Sequence, residues 1–385
     1  MDFILSAEQL AFRDTVERFC REQIAPFAEE ADRNAEFSFE AWRRMGEFGL
    51  LGMHYPEEYG GQGADVLTSI VGGEAMGLGG ADAGLLLAWG AHTYLCGDTI
   101  LKHGSDEQKT KYLPKIASGE WIGCWALTEP GAGSDAASIT TTAVRRDGGW
   151  VLNGAKMFIT NGPICKVCVV NAVTDKSAGH GGISAFIVEA GTKGFSSGKP
   201  LHKMGVRSSQ TSELIFEDCW IPEENLLGME GMGFLMALQT LEWDRSALLA
   251  PYIGSAELGL RRCVKYSLDR KQFGKPIADF QAVQHKLADM RIFINAFRLL
   301  VYRIAWNKDQ GRPLNHMEAS ISKLYGGDMG FQIASEAVQI HGGYGYIHEY
   351  PVERSLRDAK LGQIGGGTSE IQQMIISRLL TQEAR

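Results

Sequence analysis

Along this chain the spacing of apolar positions changes twice. Ser6 and Gln9 form a capping-box signature ahead of Phe12, Val16, Phe19 and Ile24, which recur near the helical period up to Pro26. Helical patterning continues to about residue 122. It is interrupted by the glycine turn Tyr59-Gly60-Gly61-Gln62-Gly63, and the small-residue stretch from Met76 to Gly90 predicts a helix packed closely on its neighbours. Short apolar runs bounded by Gly, Asn and Asp follow: Trp150-Val151-Leu152, Val167 to Val170, Ile183 to Val188 and Leu214-Ile215-Phe216 predict the strands of a compact β domain. The helical period then returns over Met232 to Leu260, Leu287 to Trp306 and Met317 to Ile340, with Ser369 to Leu380 as a last helix. The expected organisation is a helical domain over 1–122, a β domain over 123–228 and a helical domain over 229–385. Helices, then strands, then helices make an α+β architecture and disfavour a Rossmann sheet, which needs alternating units.

Composition narrows the function classes. With 385 residues, 44% of them hydrophobic, the chain can bury a sizeable core as a soluble globular protein. No apolar run approaches the ~20 residues that span a bilayer, and the start Met1-Asp2-Phe3-Ile4-Leu5 carries no basic leader or small-residue cleavage site, so an unprocessed cytoplasmic protein without a membrane partner is expected. The net charge of −8 is dispersed and no Lys/Arg stripe stands beside aromatics, which argues against nucleic acid. Seven cysteines at irregular spacings fit a reducing compartment and no disulfide framework. Cys165 and Cys168 fall in a predicted strand, where a separation of three points them to opposite faces, so two packed thiols are expected and no metal site.

Glycine-rich segments are the more informative feature. Gly131-Ala132-Gly133-Ser134-Asp135 does not read as following a strand and opening a helix, so it is no dinucleotide fingerprint, and no P-loop is present. Leu127-Thr128-Glu129-Pro130-Gly131-Ala132-Gly133-Ser134-Asp135 instead offers a turn whose backbone N–H groups and hydroxyls can reach a flat or anionic ligand. Other segments follow it in order: Asn153-Gly154, Lys156, Phe158-Ile159-Thr160-Asn161-Gly162, Lys203-Met204-Gly205, Arg207 and Arg270-Lys271-Gln272-Phe273-Gly274-Lys275-Pro276-Ile277. Gln339-Ile340-His341-Gly342-Gly343-Tyr344-Gly345, Glu349-Tyr350-Pro351-Val352-Glu353-Arg354, Arg357-Asp358-Ala359-Lys360 and Gly367-Thr368-Ser369-Glu370 complete the series.

Across nearly the whole chain this array resembles the acyl-CoA dehydrogenase family. The resemblance implies an N-terminal helical domain, a barrel-like middle β domain and a C-terminal four-helix bundle. It also implies FAD as cofactor, commonly in a homotetramer, an acyl-CoA substrate and an electron-transfer flavoprotein as acceptor. By motif position, Trp125, Leu127, Thr128, Gly133 and Ser134 are expected to line the flavin and its pyrophosphate, with Phe158 and Thr160 against the ring. Arg270, Gln272, Phe273, Gln281, Gln339 and Gly343 match positions that contact a neighbouring subunit's FAD, and Thr368 and Glu370 match the last cofactor contacts. For any one of these, a cap or a core polar group is the plain alternative.

The chemistry implied needs a carboxylate at the thioester α-carbon. Much of the family places a Glu immediately before the Gly-Thr that matches Gly367-Thr368, but here that position is Gly366, which cannot take a proton. Members that resemble isovaleryl- and long-chain acyl-CoA dehydrogenases carry the base on a helix before an Arg, and the matching pair is Asp244-Arg245. Asp retracts the carboxylate by about 1.5 Å relative to Glu. Glu242 is the competing base, but it stands about 200° away around the helix. Asp244 can also be read as a surface partner of Arg245. Ser134, Trp243, Arg245 and Gly366 are the expected substrate contacts, and the emptied loop suggests a wide, α-branched or alicyclic acyl group such as cyclohexane-1-carboxyl-CoA. A straight-chain acyl-CoA, an acyl-carrier-protein thioester, a flavin oxidase and a non-catalytic FAD- or acyl-CoA-binding subunit are the alternatives.

Overall fold

The computed structural model describes residues 4–313 and 315–383, the side chains of Glu242, Trp243, Asp244 and Glu383 lying outside the description. Helix α1 (Ala7–Phe19) starts on the expected capping box: Ser6 Oγ accepts the Gln9 N–H while the Gln9 side chain accepts the Ser6 N–H. The helices α2 (Ala28–Asn34), α3 (Phe39–Glu47), α4 (Val66–Leu78), α5 (Ala83–Gly90), α6 (Asp98–His103) and α7 (Asp106–Ser118) follow. The Met76–Gly90 stretch is therefore two helices, not the one expected. Gly80 turns at φ +84° between them, and Asp82 caps α5 by accepting the Leu85 N–H.

The middle of the chain is a sheet of β1 (Gly123–Ala126), β2 (Thr142–Arg146), β3 (Gly149–Thr160), β4 (Val167–Val173), β5 (Ile183–Glu189), β6 (Phe195–Ser197), β7 (Thr211–Pro222) and β8 (Leu226–Leu227). Its order is β6-β7-β3-β2-β4-β5-β8, with β1 parallel to β4. Strands β2 and β4 meet only at Thr142 and Val173, so two antiparallel halves fold toward each other. Between them they enclose Trp150, Leu152, Cys168, Val170, Phe186, Val188, Leu214 and Phe216, which gives the barrel-like form. The opposite residues of β4 and β5, Val167, Val169, Ala185 and Ile187, pack on Ile100, Tyr112, Leu113 and Ile116 of the helices. Burial on both faces is why these strands read as unbroken apolar runs.

Cys165 precedes β4, so the strand parity that was expected to separate it from Cys168 does not apply. Both pack in the same core with Cys124, the register partner of Cys168, and all the cysteines are free thiols.

The C-terminal helices are α8 (Gly233–Ala247), α9 (Ala250–Asp269), α10 (Gln281–Asp309), α11 (His316–His341), α12 (Val352–Ala359) and α13 (Ser369–Glu383). The apolar pattern of 232–260 is broken at Leu248 and Leu249, and Pro251 sits in the first turn of α9, where its missing N–H costs nothing. Helices α9, α10 and α11 pack pairwise, and α8 and α13 lie against α11. N-terminal and C-terminal helices share one core that runs from Met45 and Trp89 to Ile253, Phe297 and Ile333. They approach to backbone contact where α4 crosses α9: a Cβ at Gly254 would stand 1.9 Å from the Glu74 carbonyl oxygen. Among the described residues no helix is long and apolar enough to cross a membrane.

Candidate active site

Strand β1 ends at Ala126 and the chain enters the loop Leu127–Ser134. The glycine segment thus does follow a strand, contrary to expectation, but the next regular element is strand β2, so it does not open a helix. Glu129 and Ala132 exchange backbone hydrogen bonds of 3.1 Å, which closes a tight turn. Beneath the loop lies Lys156 of β3, fully buried. Its Nζ donates to the Leu127 carbonyl at 3.1 Å and to Glu129 Oε1 at 2.8 Å. The Glu129 carboxylate also accepts from Thr140 N (2.7 Å), Thr140 Oγ1 (2.8 Å) and Thr141 N (2.9 Å). Burial alone would raise the Glu129 carboxyl, but the Lys156 ammonium and these donors outweigh it and hold it near about 2. Burial lowers the Lys156 amine to about 8 against the opposing pull of Glu129. The pair is ionised between those values.

The next residue, Met157, donates its N–H to the Thr128 carbonyl at 2.8 Å. Strand β3 then bulges against β7 between Lys156 and Ile159, and Phe158 takes φ +60° and is 66% exposed. A positive φ is strained for an aromatic residue, and strain of this kind concentrates at ligand sites. Thr160 closes the strand half-buried, while Gly133 and Ser134 are exposed. A Cβ at Gly131 or Gly133 would meet nothing within 4 Å. The loop therefore faces open space beside a flat aromatic side chain.

Leu127 and Ala132 pack against Ala237 of α8, with Trp125 and Leu241 at the edge of the same cluster. Leu241 and Arg245 share a helix face, and Arg245 Nε donates to the Gly366 carbonyl at 3.3 Å. One face of α8 thus spans from the loop after β1 to the loop before α13. Asp244 and Trp243 lie on this helix, but their side chains are outside the described residues. Around the helix, positions 244 and 242 stand on opposite sides of the Leu241–Arg245 face, each about 80° from its middle.

Gly366 and Gly367 have φ +67° and +96°. The buried Gln372 side chain donates to both their carbonyls, at 3.4 and 3.3 Å. Thr368 Oγ1 accepts the Ile371 N–H at 3.3 Å and caps α13. The Glu370 carboxyl is held low by its own backbone N–H and by the Thr368 hydroxyl. Lys323 of α11 is buried with its amine among Arg245, Asp328 and Glu370, and burial, then Arg245, pushes it down to about 8. Lys323 and Gln372 are not singled out from sequence, and Lys156 and Glu129 stand in the quoted motifs without a site role. Lys156 had a signal, since it shares the inward parity of Trp150 and Leu152 in an otherwise apolar row. Gln372 had none.

The second expected group lies elsewhere. Gln339 is 16 residues beyond Lys323 on α11, about 24 Å along the axis. Near it, the Arg270 guanidinium stands 5.5 Å from the Tyr344 ring, and the hairpin of β9 (Lys271–Gln272) and β10 (Lys275–Pro276) carries Gln272 and Phe273. Phe273 is 94% exposed at φ +50°, and Gln281, Gln339 and Gly343 are exposed too. One chain therefore gathers Trp125, Leu127, Thr128, Leu241, Arg245 and Gly366, and turns the other group outward.

An aromatic-flanked loop in a barrel-like sheet, clamped between helical domains that bring an Asp-Arg helix to a glycine loop, is the build of a three-domain flavin-dependent oxidoreductase. Family models for the acyl-CoA dehydrogenase N-terminal, middle and C-terminal domains match residues 6–120, 124–219 and 231–381. The chain is 43% identical to a short-chain specific acyl-CoA dehydrogenase of Clostridium acetobutylicum, over 98% of this chain and 99% of that one. It is 44% identical to a mitochondrial isovaleryl-CoA dehydrogenase of Solanum tuberosum, over 97% and 91%. The solved butyryl-CoA dehydrogenase of Megasphaera elsdenii superposes with a TM-score of 0.95 at 42% identity, covering 99% of this chain and 100% of that one. The chain belongs to the acyl-CoA dehydrogenase family, and its activity is the FAD-dependent oxidation of an acyl-CoA.

Proposed function

We propose that this enzyme oxidises an α-branched or alicyclic acyl-CoA to the 2-enoyl-CoA, with Asp244 as the base that takes the α-proton. The observation that carries the reading is the emptied loop: Gly366 has no side chain and a Cβ there would meet nothing within 4 Å, while its carbonyl is tied to Arg245, the neighbour of Asp244. Positions 244 and 242 flank the helix face that holds Leu241 and Arg245 at equal angles, so the preference for Asp244 over Glu242 rests on its place directly before Arg245, which matches the helix-borne base of part of the family. FAD, when bound, supplies the two-electron acceptor for the departing β-hydrogen.

The residues present fit that cofactor. The open space beside Gly131 and Gly133, the exposed Phe158 ring and the Thr160 hydroxyl form one side of a flat-ligand site, with Trp125, Leu127, Thr128 and Ser134 around it. Thr368 and Glu370 bring the start of α13 toward the same ligand. The exposed Arg270, Gln272, Phe273, Gln281, Gln339 and Gly343 are read as contacts to the FAD of a neighbouring subunit in a homotetramer. The exposure of Phe273, at 94%, and of Tyr346, at 86%, supports a covered surface there. An electron-transfer flavoprotein is the proposed acceptor. Anaerobic bleaching of the bound flavin across straight, branched and cyclic acyl-CoAs tests the reading. Fastest bleaching with branched or cyclic thioesters, lost in Asp244→Asn with FAD still bound, is the expected result. Fastest bleaching with straight-chain thioesters overturns the substrate, and bleaching retained by Asp244→Asn overturns the base.

A further inference from the structure

We propose that the buried Lys156–Glu129 pair is a positioning device for the flavin, aiming the N–H of Thr128 at the cofactor and so setting both how tightly FAD is held and how readily it is reduced. The inference rests on the reading of the Leu127–Ser134 loop as part of the FAD site.

A trans peptide points its C=O and N–H in opposite directions. The carbonyl of Leu127 is drawn inward by the Lys156 ammonium, so the N–H of the same peptide, carried by Thr128, is turned outward. Among the described residues no acceptor meets that N–H. The following peptide is fixed as well, since the Thr128 carbonyl accepts from Met157, the residue adjoining the strained Phe158. Lys156 therefore braces the loop from inside, and the bulge next to it presents the aromatic ring on the outer side.

A buried ammonium is an expensive brace. An uncompensated charge at this depth is strongly unfavourable, and an apolar side chain of similar size would pack at lower cost. Glu129 compensates the charge and is itself locked by Thr140 and Thr141, so the brace cannot rotate away. What the pair supplies beyond packing is a fixed orientation of one peptide dipole. Reduction makes the flavin more electron-rich, and a donor already aimed at it stabilises the reduced form more than the oxidised one. Without the brace the Leu127 carbonyl loses its buried donor, and the peptide turns to find another.

The test compares the parent holoenzyme with the double variant Lys156→Met with Glu129→Gln, which removes both charges together and keeps one acceptor oxygen, for the Thr140 N–H and hydroxyl. Folding is checked by circular dichroism, FAD affinity by titration of the apoprotein, and reduction potential by dye equilibration. The expected result is a folded variant that binds FAD about tenfold or more weakly, as loss of one hydrogen bond to a buried partner implies. Its remaining bound flavin has a more negative potential and a shifted visible absorption band. Weaker FAD binding with the parent's potential and spectrum would reduce the pair to a structural brace and overturn the proposal, as would unchanged affinity. A second measurement needs no variant: hydrogen exchange across residues 127–134 of the parent apoprotein slows when FAD is added. Unchanged exchange overturns the proposal even if the variant does not fold. A parent chain that binds no FAD at all would instead be a failure of the underlying site reading.

Discussion

Arg245 on α8 donates from Nε to the carbonyl of Gly366 at 3.3 Å, joining a helix and a loop that are 121 residues apart in the chain. The bond holds the position from which much of the family presents its base against the helix that carries Asp244 here. A glutamate at 366 has room, since a Cβ there meets nothing within 4 Å, but it must adopt φ +67°. That conformation costs an L-residue about 1–2 kcal/mol. Gly366→Glu is expected to lower stability by that amount in urea unfolding and to shift turnover from branched or cyclic toward straight-chain thioesters. In an Asp244→Asn background it should return measurable flavin bleaching. An unchanged substrate ranking would remove the loop from the account of acyl width.

Asp244 itself offers a test of reach. Asp244→Glu extends the carboxylate by about 1.5 Å, so it should keep FAD and remain active, with its preference moved toward slimmer acyl groups. Asp244→Asn should lower the rate of flavin reduction by roughly 10²–10⁴-fold, the usual contribution of a general base. Stopped-flow reduction of both variants measures the two effects, and equal losses would mean that position 244 acts through structure and not as a base.

The crossing of α4 on α9 makes a stability prediction independent of the site. Gly254→Ala places a Cβ 1.9 Å from the Glu74 carbonyl oxygen and 2.5 Å from Leu78 N, both backbone atoms that cannot swing aside. The helices must separate, and a loss of about 1–3 kcal/mol or more is expected. Gly259→Ala, on the same helix with nothing within 4 Å of its Cβ, should be neutral or stabilising because alanine favours the helix. Urea midpoints for the two variants that coincide would contradict the close crossing.

The helical and β blocks were legible because apolar period is a local property: Phe12 with Val16, or Val167 to Val170, need no partner to be recognised. The failures were of two kinds. A break that keeps the apolar pattern, as at Leu248–Leu249 between α8 and α9 or at Gly79–Gly80 between α4 and α5, leaves little mark on the period. Cys165 was misread because the start of β4 is set by pairing with β1 and β5, which lies outside the local sequence. In the site, the motifs marked Leu127, Thr128 and Phe158 and included Lys156 without its role, whereas Lys323 meets Arg245 from far along the chain and Gln372 reaches the Gly366 and Gly367 carbonyls only because the loop folds back on α13. Lys156 donates to a carbonyl 29 residues away, and only the parity of its strand hinted that it points inward.

A last prediction concerns pH, at the junction where all three parts of the chain meet. The Asp358 carboxylate of α12 accepts the N–H of Val206, from the stretch between β6 and β7, at 2.5 Å. Facing it are Asp82 at the start of α5, which also accepts from Ser208 Oγ, Asp32 of α2, Arg354 of its own helix and Tyr252 of α9. Arg357 does not relieve it, because its guanidinium is taken by Asp32 at 2.6 and 3.0 Å and by Glu353. Burial, then repulsion from Asp82, raises the Asp358 carboxyl from 3.8 to about 7, against the pull of the Val206 N–H and Arg354. In the unfolded chain this group ionises near its ordinary value, so between pH 4 and 7 the folded protein binds more protons than the unfolded one. Its contribution to stability is full below about pH 4 and declines as pH rises to 7. Asp358→Asn keeps an acceptor for Val206 and has no proton to lose. Between pH 5 and 7 the variant should therefore gain on the parent by roughly 2–3 kcal/mol, about 1.36 kcal/mol per pH unit. Urea unfolding of both proteins across that range measures the difference in slope; parallel stability curves would show that the Asp358 carboxyl does not titrate there.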